Sequence, residues 1–220
     1  QLNREDPTIK IKINQETGEY LVSGLGELHI DAKVERKLRE NNIPIKSTPP
    51  IVVYRESCGA GIADVEGKSP NKHNRFLFII SPLPEALVEA MKNREIQDSE
   101  MKRKDIDLVK KLETLGLDKN EAKSVKLIYN KNMFIDGTKG IQYLNEAMEL
   151  IKEGFKSIMD EGPLTKEPCM YLKIVITDAT LHEDAVHRGP AQVLPAVRFA
   201  IKEGMLKGDP FLMEPKQIIR

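Results

Sequence analysis

Between residues 139 and 177 the chain changes its apolar period once, and that change limits the folds open to it. Ile141, Leu144, Met148, Ile151, Phe155 and Ile158 recur at helical spacing, and Gly162-Pro163 supplies a stop signal. Leu172, Ile174 and Ile176 then alternate across residues 171–177, the period of a strand with one buried face. A striped helix and a half-apolar strand each need another layer to cover them. The rest of the second part supplies those layers. Residues 51–56 and 76–80 are expected strands. Ser81-Pro82-Leu83-Pro84 opens a helix carrying Leu87, Val88 and Met91, and a last helix carries Val193, Val197, Ala200 and Ile201. The predicted class is α+β, a sheet backed by helices with two long polar loops.

Composition narrows the function. Lys and Arg together number 34, and so do Asp and Glu, so the formal charge is zero and bulk charge cannot drive nucleic-acid binding. Any such contact must come from a local patch. Hydrophobic residues at 40% and charged residues at 31% are those of an ordinary globular chain rather than a disordered one. No apolar run approaches the roughly 20 residues that span a bilayer. Trp is absent, so the core falls to Leu, Ile, Val and Met. Cys58 and Cys169 lie far apart, which argues against a disulfide scaffold and makes a reducing compartment the expected one. Both are expected to be small buried hydrophobes.

The first 47 residues read differently. Ile9, Ile11 and Ile13 alternate with Lys10 and Lys12, a turn is expected at residues 16–19, and Tyr20-Leu21-Val22-Ser23 returns as a second strand. Ile30, Val34 and Leu38 then mark a helix, with a short strand expected at residues 43–45. This is too little for a stable domain. Thr48-Pro49-Pro50 is the clearest linker. The chain starts at Gln1 and stops on an apolar pattern, as an internal piece of a longer protein would. Residues 94–131 are densely charged. A helical stripe there is expected over Met101, Leu108, Leu112 and Leu115, and a second short helix over Ala122, Val125 and Ile128, which together describe a solvated helical insertion.

Two near-motifs fail on geometry. Gly61 to Ser69 resembles a phosphate-binding loop, but five residues separate its glycines instead of four, and no helix follows to hold the phosphates. His182 to His187 resembles a zinc-binding pair. Five residues on a helix would set the rings about 140° apart, at roughly 100° per residue, and Gly189-Pro190 ends any helix. Neither a cofactor site nor a metal site is expected. A zinc-dependent hydrolase, and a protein-interaction module using residues 94–131, are the alternative functions.

Two loops remain. Residues 67–75 hold Lys68, Lys72 and Arg75 with no acid, together with Ser69, Asn71, His73 and Asn74. Such a loop can contact RNA phosphates without reading sequence. Residues 178–192 place His182, Asp184, His187, Arg188 and Gly189 between a strand and a helix, with His187-Arg188-Gly189 expected to be exposed.

These residues resemble one family. Asp6-Pro7-Thr8, Gly18-Glu19-Tyr20 and Gly24-Leu25-Gly26-Glu27-Leu28-His29 resemble domain III of the translational translocases. Residues 68–75, Lys-Ser-Pro-Asn-Lys-His-Asn-Arg, resemble a signature of the archaeal and eukaryotic branch, elongation factor 2. Residues 181–192, Leu-His-Glu-Asp-Ala-Val-His-Arg-Gly-Pro-Ala-Gln, resemble its diphthamide loop, and Gly-Pro-Ala at 189–191 resembles the archaeal form. The resemblance implies residues 1–48 as part of a ferredoxin-like domain III, with its first strand and most of its first helix missing. It implies 49–208 as domain IV, a β-α-β sheet-and-helix layer fold resembling a small-subunit ribosomal protein domain, and 209–220 as the start of domain V. The parent would be a cytoplasmic, monomeric GTPase that moves tRNA and mRNA from the A to the P site, with GTP and Mg in a G domain outside this segment. His187 would be the histidine converted to diphthamide, and so a target of the diphthamide-synthesis enzymes and of ADP-ribosylating toxins. Lys68, Asn71, Lys72, His73, Asn74, Arg75, His182, Asp184, Arg188 and Gly189 would face ribosomal RNA, tRNA and mRNA near the decoding centre.

Overall fold

Two units make up the computed structural model, residues 1–52 and 53–220. The structure describes residues 2–13, 19–101 and 105–216. Residues 16–18 of the turn expected at 16–19, and the chain end at 217–220, lie outside them.

In the first unit, α1 (Leu2–Glu5) precedes a hairpin of β1 (Lys10–Ile13) and β2 (Tyr20–Ser23), in register Lys10↔Ser23 to Ile13↔Tyr20. The expected helix follows as α2 (Glu27–Ile30), a π-helical turn (Asp31–Glu35) and α3 (Arg36–Glu40). Ile9 and Val34 are buried, but Ile11, Ile13, Leu21 and Leu28 are exposed. The expectation of one buried face through Ile13 therefore holds only at Ile9, because a two-stranded hairpin has too little sheet to cover. His29 ties the unit together. Its Nδ1 accepts from the Leu25 N–H at 3.2 Å, which leaves the Nε2 proton for Asp6 at 2.9 Å. Residues 43–54 form no regular element, so the strand expected at 43–45 is absent.

The second unit begins with β3 (Arg55–Cys58), displaced from the expected 51–56, then β4 (Ile62–Lys68) and β5 (Arg75–Pro82). Next come α4 (Glu85–Lys92), β6 (Ser99–Glu100), α5 (Ile106–Thr114), α6 (Lys119–Ser124), β7 (Val125–Tyr129) and β8 (Asn132–Asp136). The unit ends with α7 (Leu144–Asp160), β9 (Leu172–Thr180), a 3-10 turn (Ala185–Arg188), α8 (Pro190–Lys207) and β10 (Pro210–Met213). Six strands form one sheet in the order β4-β5-β9-β8-β7-β6. Every pairing is antiparallel except β8 with β9, which are parallel and joined through α7. A parallel pair needs such a crossover. β10 pairs with β3 in a separate ribbon, Pro210↔Cys58 to Met213↔Arg55.

Both faces of the sheet are covered. Phe76, Phe78, Ile80, Phe134, Ile174 and Ile176 point into a core with α7 and α8, where Phe134 and Phe155 rings sit 5.5 Å apart. Their strand neighbours Met133, Ile135 and Val175 point the other way, into a second core with Leu87, Met91, Leu112 and Ala122. This corrects the reading of residues 94–131. They are not a solvated insertion, since their apolar stripe roofs the second face. Val125 and Ile128 lie on a strand, not a helix.

Two glycines permit close approaches. A Cβ on Gly67 would stand 2.2 Å from the Ala196 carbonyl oxygen, so α8 can lie this close to β4 only over a glycine. A Cβ on Gly162 would stand 2.2 Å from Glu56 Oε2. That buried carboxylate accepts the N–H groups of Leu164, Thr165 and Glu167 at 2.8, 2.8 and 3.1 Å, which closes the turn after α7.

Candidate functional site

The two polar loops leave the sheet at one end. Lys68 pairs with Arg75 across the β4–β5 hairpin, and Arg75 pairs with Thr180 at the end of β9. Three strand ends therefore lie side by side, and the loops 69–74 and 181–189 meet beyond them.

Asn74 is the joint. Its side chain is fully buried. Nδ2 donates to the His187 carbonyl at 2.7 Å and to Ser69 Oγ at 3.2 Å, while Oδ1 accepts the His182 N–H at 3.1 Å. A buried amide that uses both ends this way fixes two loops with one residue. Asn71 adds to the joint. Its N–H donates to Gln192 Oε1 at 3.0 Å, and its Oδ1 accepts from Ser69 Oγ at 2.5 Å and the His73 N–H at 3.1 Å. Asp184 shapes the second loop. Its carboxylate accepts the Val186 N–H, its carbonyl accepts the His187 N–H, and its own N–H donates to His182 Nδ1 at 3.0 Å.

The expectation that Arg188 is exposed is corrected. It is 7% exposed. Its guanidinium donates to the carbonyls of His182 and Glu183 at 2.6 and 2.7 Å, pairs with Glu146 of α7, and lies over the Tyr143 ring at 4.3 Å. It is an anchor rather than a contact surface. Asn74 is likewise structural, not surface-facing. Gly189 is half-buried and leads directly into α8.

The charge of the first loop is also corrected. Glu66, one residue before the stretch read as acid-free, pairs with Lys68 at 2.7 Å and with Arg75. Lys68, then Arg75, holds the Glu66 carboxyl below the usual range. Lys72 is exposed and has no ion pair among the described residues, and its backbone is left-handed with φ 62°. The remaining cation at the tip is thus carried by Lys72.

The histidines come together in a way the spacing argument missed. His73 stacks on His182 at 4.9 Å between ring centroids, and His187 stands edge-on to both, at 4.9 and 4.6 Å. Helical geometry would have separated His182 from His187, but a loop and a 3-10 turn connect them. Glu146 and Tyr143 were also missed, and no local signal marks them.

Residues 94–209 match the family described as Elongation factor G, domain IV, and residues 1–49 match Elongation Factor G, domain III. The chain belongs to the elongation factor G family. Among curated relatives, elongation factor 2 of Methanosarcina barkeri is 52% identical over 217 residues, covering 99% of this chain and 29% of that protein. Elongation factor 2 of Thermococcus onnurineus is 52% identical over 99% of this chain and 30% of its own length. That of Methanoregula boonei is 53% identical over all of this chain and 30% of its own. The chain thus spans about three tenths of the length of these relatives. The domain IV match includes the His187 loop but not residues 68–75, which lie between the two matched segments. Among the described residues no helix is long and apolar enough to cross a membrane.

Proposed function

We propose that this chain is the ribosome-contacting segment of an archaeal translocase and that the paired loops are its decoding-site tip. Residues 1–48 are the domain III part, 49–208 domain IV and 209–220 the start of domain V. The parent factor moves tRNA and mRNA from the A to the P site, and its GTP and Mg belong to a G domain in the part of the relatives outside this chain. The ribosome is the partner, through rRNA, tRNA and mRNA.

The observation that carries this reading is the setting of His187. Its carbonyl is gripped by Asn74, its neighbour Arg188 is anchored, and the partly exposed residue lies where two loops meet, its ring against His73 and His182. A modifying enzyme needs an imidazole presented this way. Diphthamide there adds a cationic extension to the tip that also carries Lys72, unpaired among the described residues, which favours contact with phosphate. The same exposure suits the diphthamide-synthesis enzymes and ADP-ribosylating toxins. Peptide mass spectrometry of source-purified parent protein, over residues 182–198, tests the reading. The expected result is a mass addition of diphthamide localised to His187. An unmodified His187 in native material would remove the role assigned to it.

A further inference from the structure

We propose that His73, His182 and His187 form a binding site for a divalent transition-metal ion of the zinc class. The proposal concerns the unmodified imidazoles and does not rest on the translocase reading. One ring nitrogen from each of the three lies within 4.8 Å of the others. In a tetrahedral zinc site with Zn–N near 2.0–2.1 Å, ligand nitrogens stand about 3.4 Å apart. The rings therefore need to close by little more than an ångström, which side-chain rotation can supply.

The backbone behind them is already fixed. Asn74 holds the His182 N–H and the His187 carbonyl, and Asn71 Oδ1 holds the His73 N–H. The three residues come from two loops clamped to each other, so ordering the ligands costs less than it would on free loops. His182 has one bond to give up, the Asp184 N–H on its Nδ1, either by coordinating through that atom or by turning its ring. The surroundings set two exposed carboxylates against one ammonium unpaired among the described residues, that of Lys72. Glu183 and Asp184 are exposed beside the rings, and Arg188 is already paired with Glu146.

Imidazole suits zinc, copper, nickel and iron rather than magnesium or calcium. Three protein nitrogens leave a fourth position open to solvent, because His73 is exposed and the other two are half-buried. Water or a phosphate oxygen can occupy it. Thiolate competition is excluded by burial, since Cys58 and Cys169 are 1% and 0% exposed.

Cobalt(II) titration of the 220-residue chain, followed by visible absorption and by zinc competition, tests the site. The expected result is one ion per chain, displaced by zinc, with affinity falling at least tenfold in each of His73→Gln, His182→Gln and His187→Gln. The exposed His73→Gln variant carries little risk to folding, and circular dichroism checks all three. His29→Gln, at the fourth histidine, leaves the affinity unchanged. No saturable binding overturns the proposal. So does affinity lost with His29→Gln, or binding that any of the three tip variants leaves intact.

Discussion

Asn74 shows how one side chain can decide a site. Replacing it with Ala leaves the part-buried His182 N–H without its partner and the His187 carbonyl with only the 3.4 Å bond from Asn71 Nδ2. Such an orphan costs about 1–3 kcal/mol. Asn74→Ala should therefore lower stability in urea by about that amount and speed amide exchange through residues 181–189. Exchange confined to residues 69–74 would contradict the shared joint. Asp6 gives a pH signature in the first unit. Bonds from Thr8, then from His29, hold its carboxyl at about 2, below the ordinary 3.8. A group lowered in the fold stabilises above its unfolded value and loses that contribution as pH falls from about 4 to about 2. NMR titration of the His29 environment should show a transition in that window, and Asp6→Asn should abolish it. At this scale the sequence showed the polar residues of both loops but not their duties. Arg188 looks like a surface cation until Glu146, 42 residues upstream, and Tyr143 are placed beside it. Likewise Glu66 pairs with two of the three cations, Lys68 and Arg75, of a charge patch that begins one residue later.

Elements with a clear period were legible, and those with mixed signals were not. The stripes of α4, α7 and α8 and the alternation of β5 and β9 read directly from the residues. Ala122, Val125 and Ile128 fall at a spacing that suits a helix, yet the chain leaves α6 at Val125 and becomes β7, because the sheet beside it needs another strand. Short apolar runs carry this ambiguity. β4 was hidden by Asp64 and Gly67, which look like loop residues. Asp64 has φ 55° where the pairing with β5 slips between Ile62 and Val65, and Gly67 admits α8. The second core yields a direct test of the segment misread as a solvated insertion. Leu112 is fully buried in it. Leu112→Ala should cost about 2–5 kcal/mol in chemical denaturation, whereas a change near zero would restore the insertion reading.

For the molecule as a whole, the division falls in the stretch 43–54, which has no regular structure and is mostly exposed. Brief trypsin treatment should cut after Lys46 before it cuts within the six-stranded sheet, leaving a folded product that contains residues 53–220. Early cleavage inside α7 or α8 would show that the larger unit is not the robust one. The arrangement of strands beneath the tip has a mechanical consequence. β4, β5 and β9 all run up to the two loops, and β5 is paired on both sides from Arg75 to Ile80. A thrust along the strands loads every rung of those ladders together in shear, and the covering helices brace the sheet against buckling. A sideways pull instead opens the β4 edge one rung at a time. The tip is stiff as a strut and compliant as a hinge, depending only on the direction of the load.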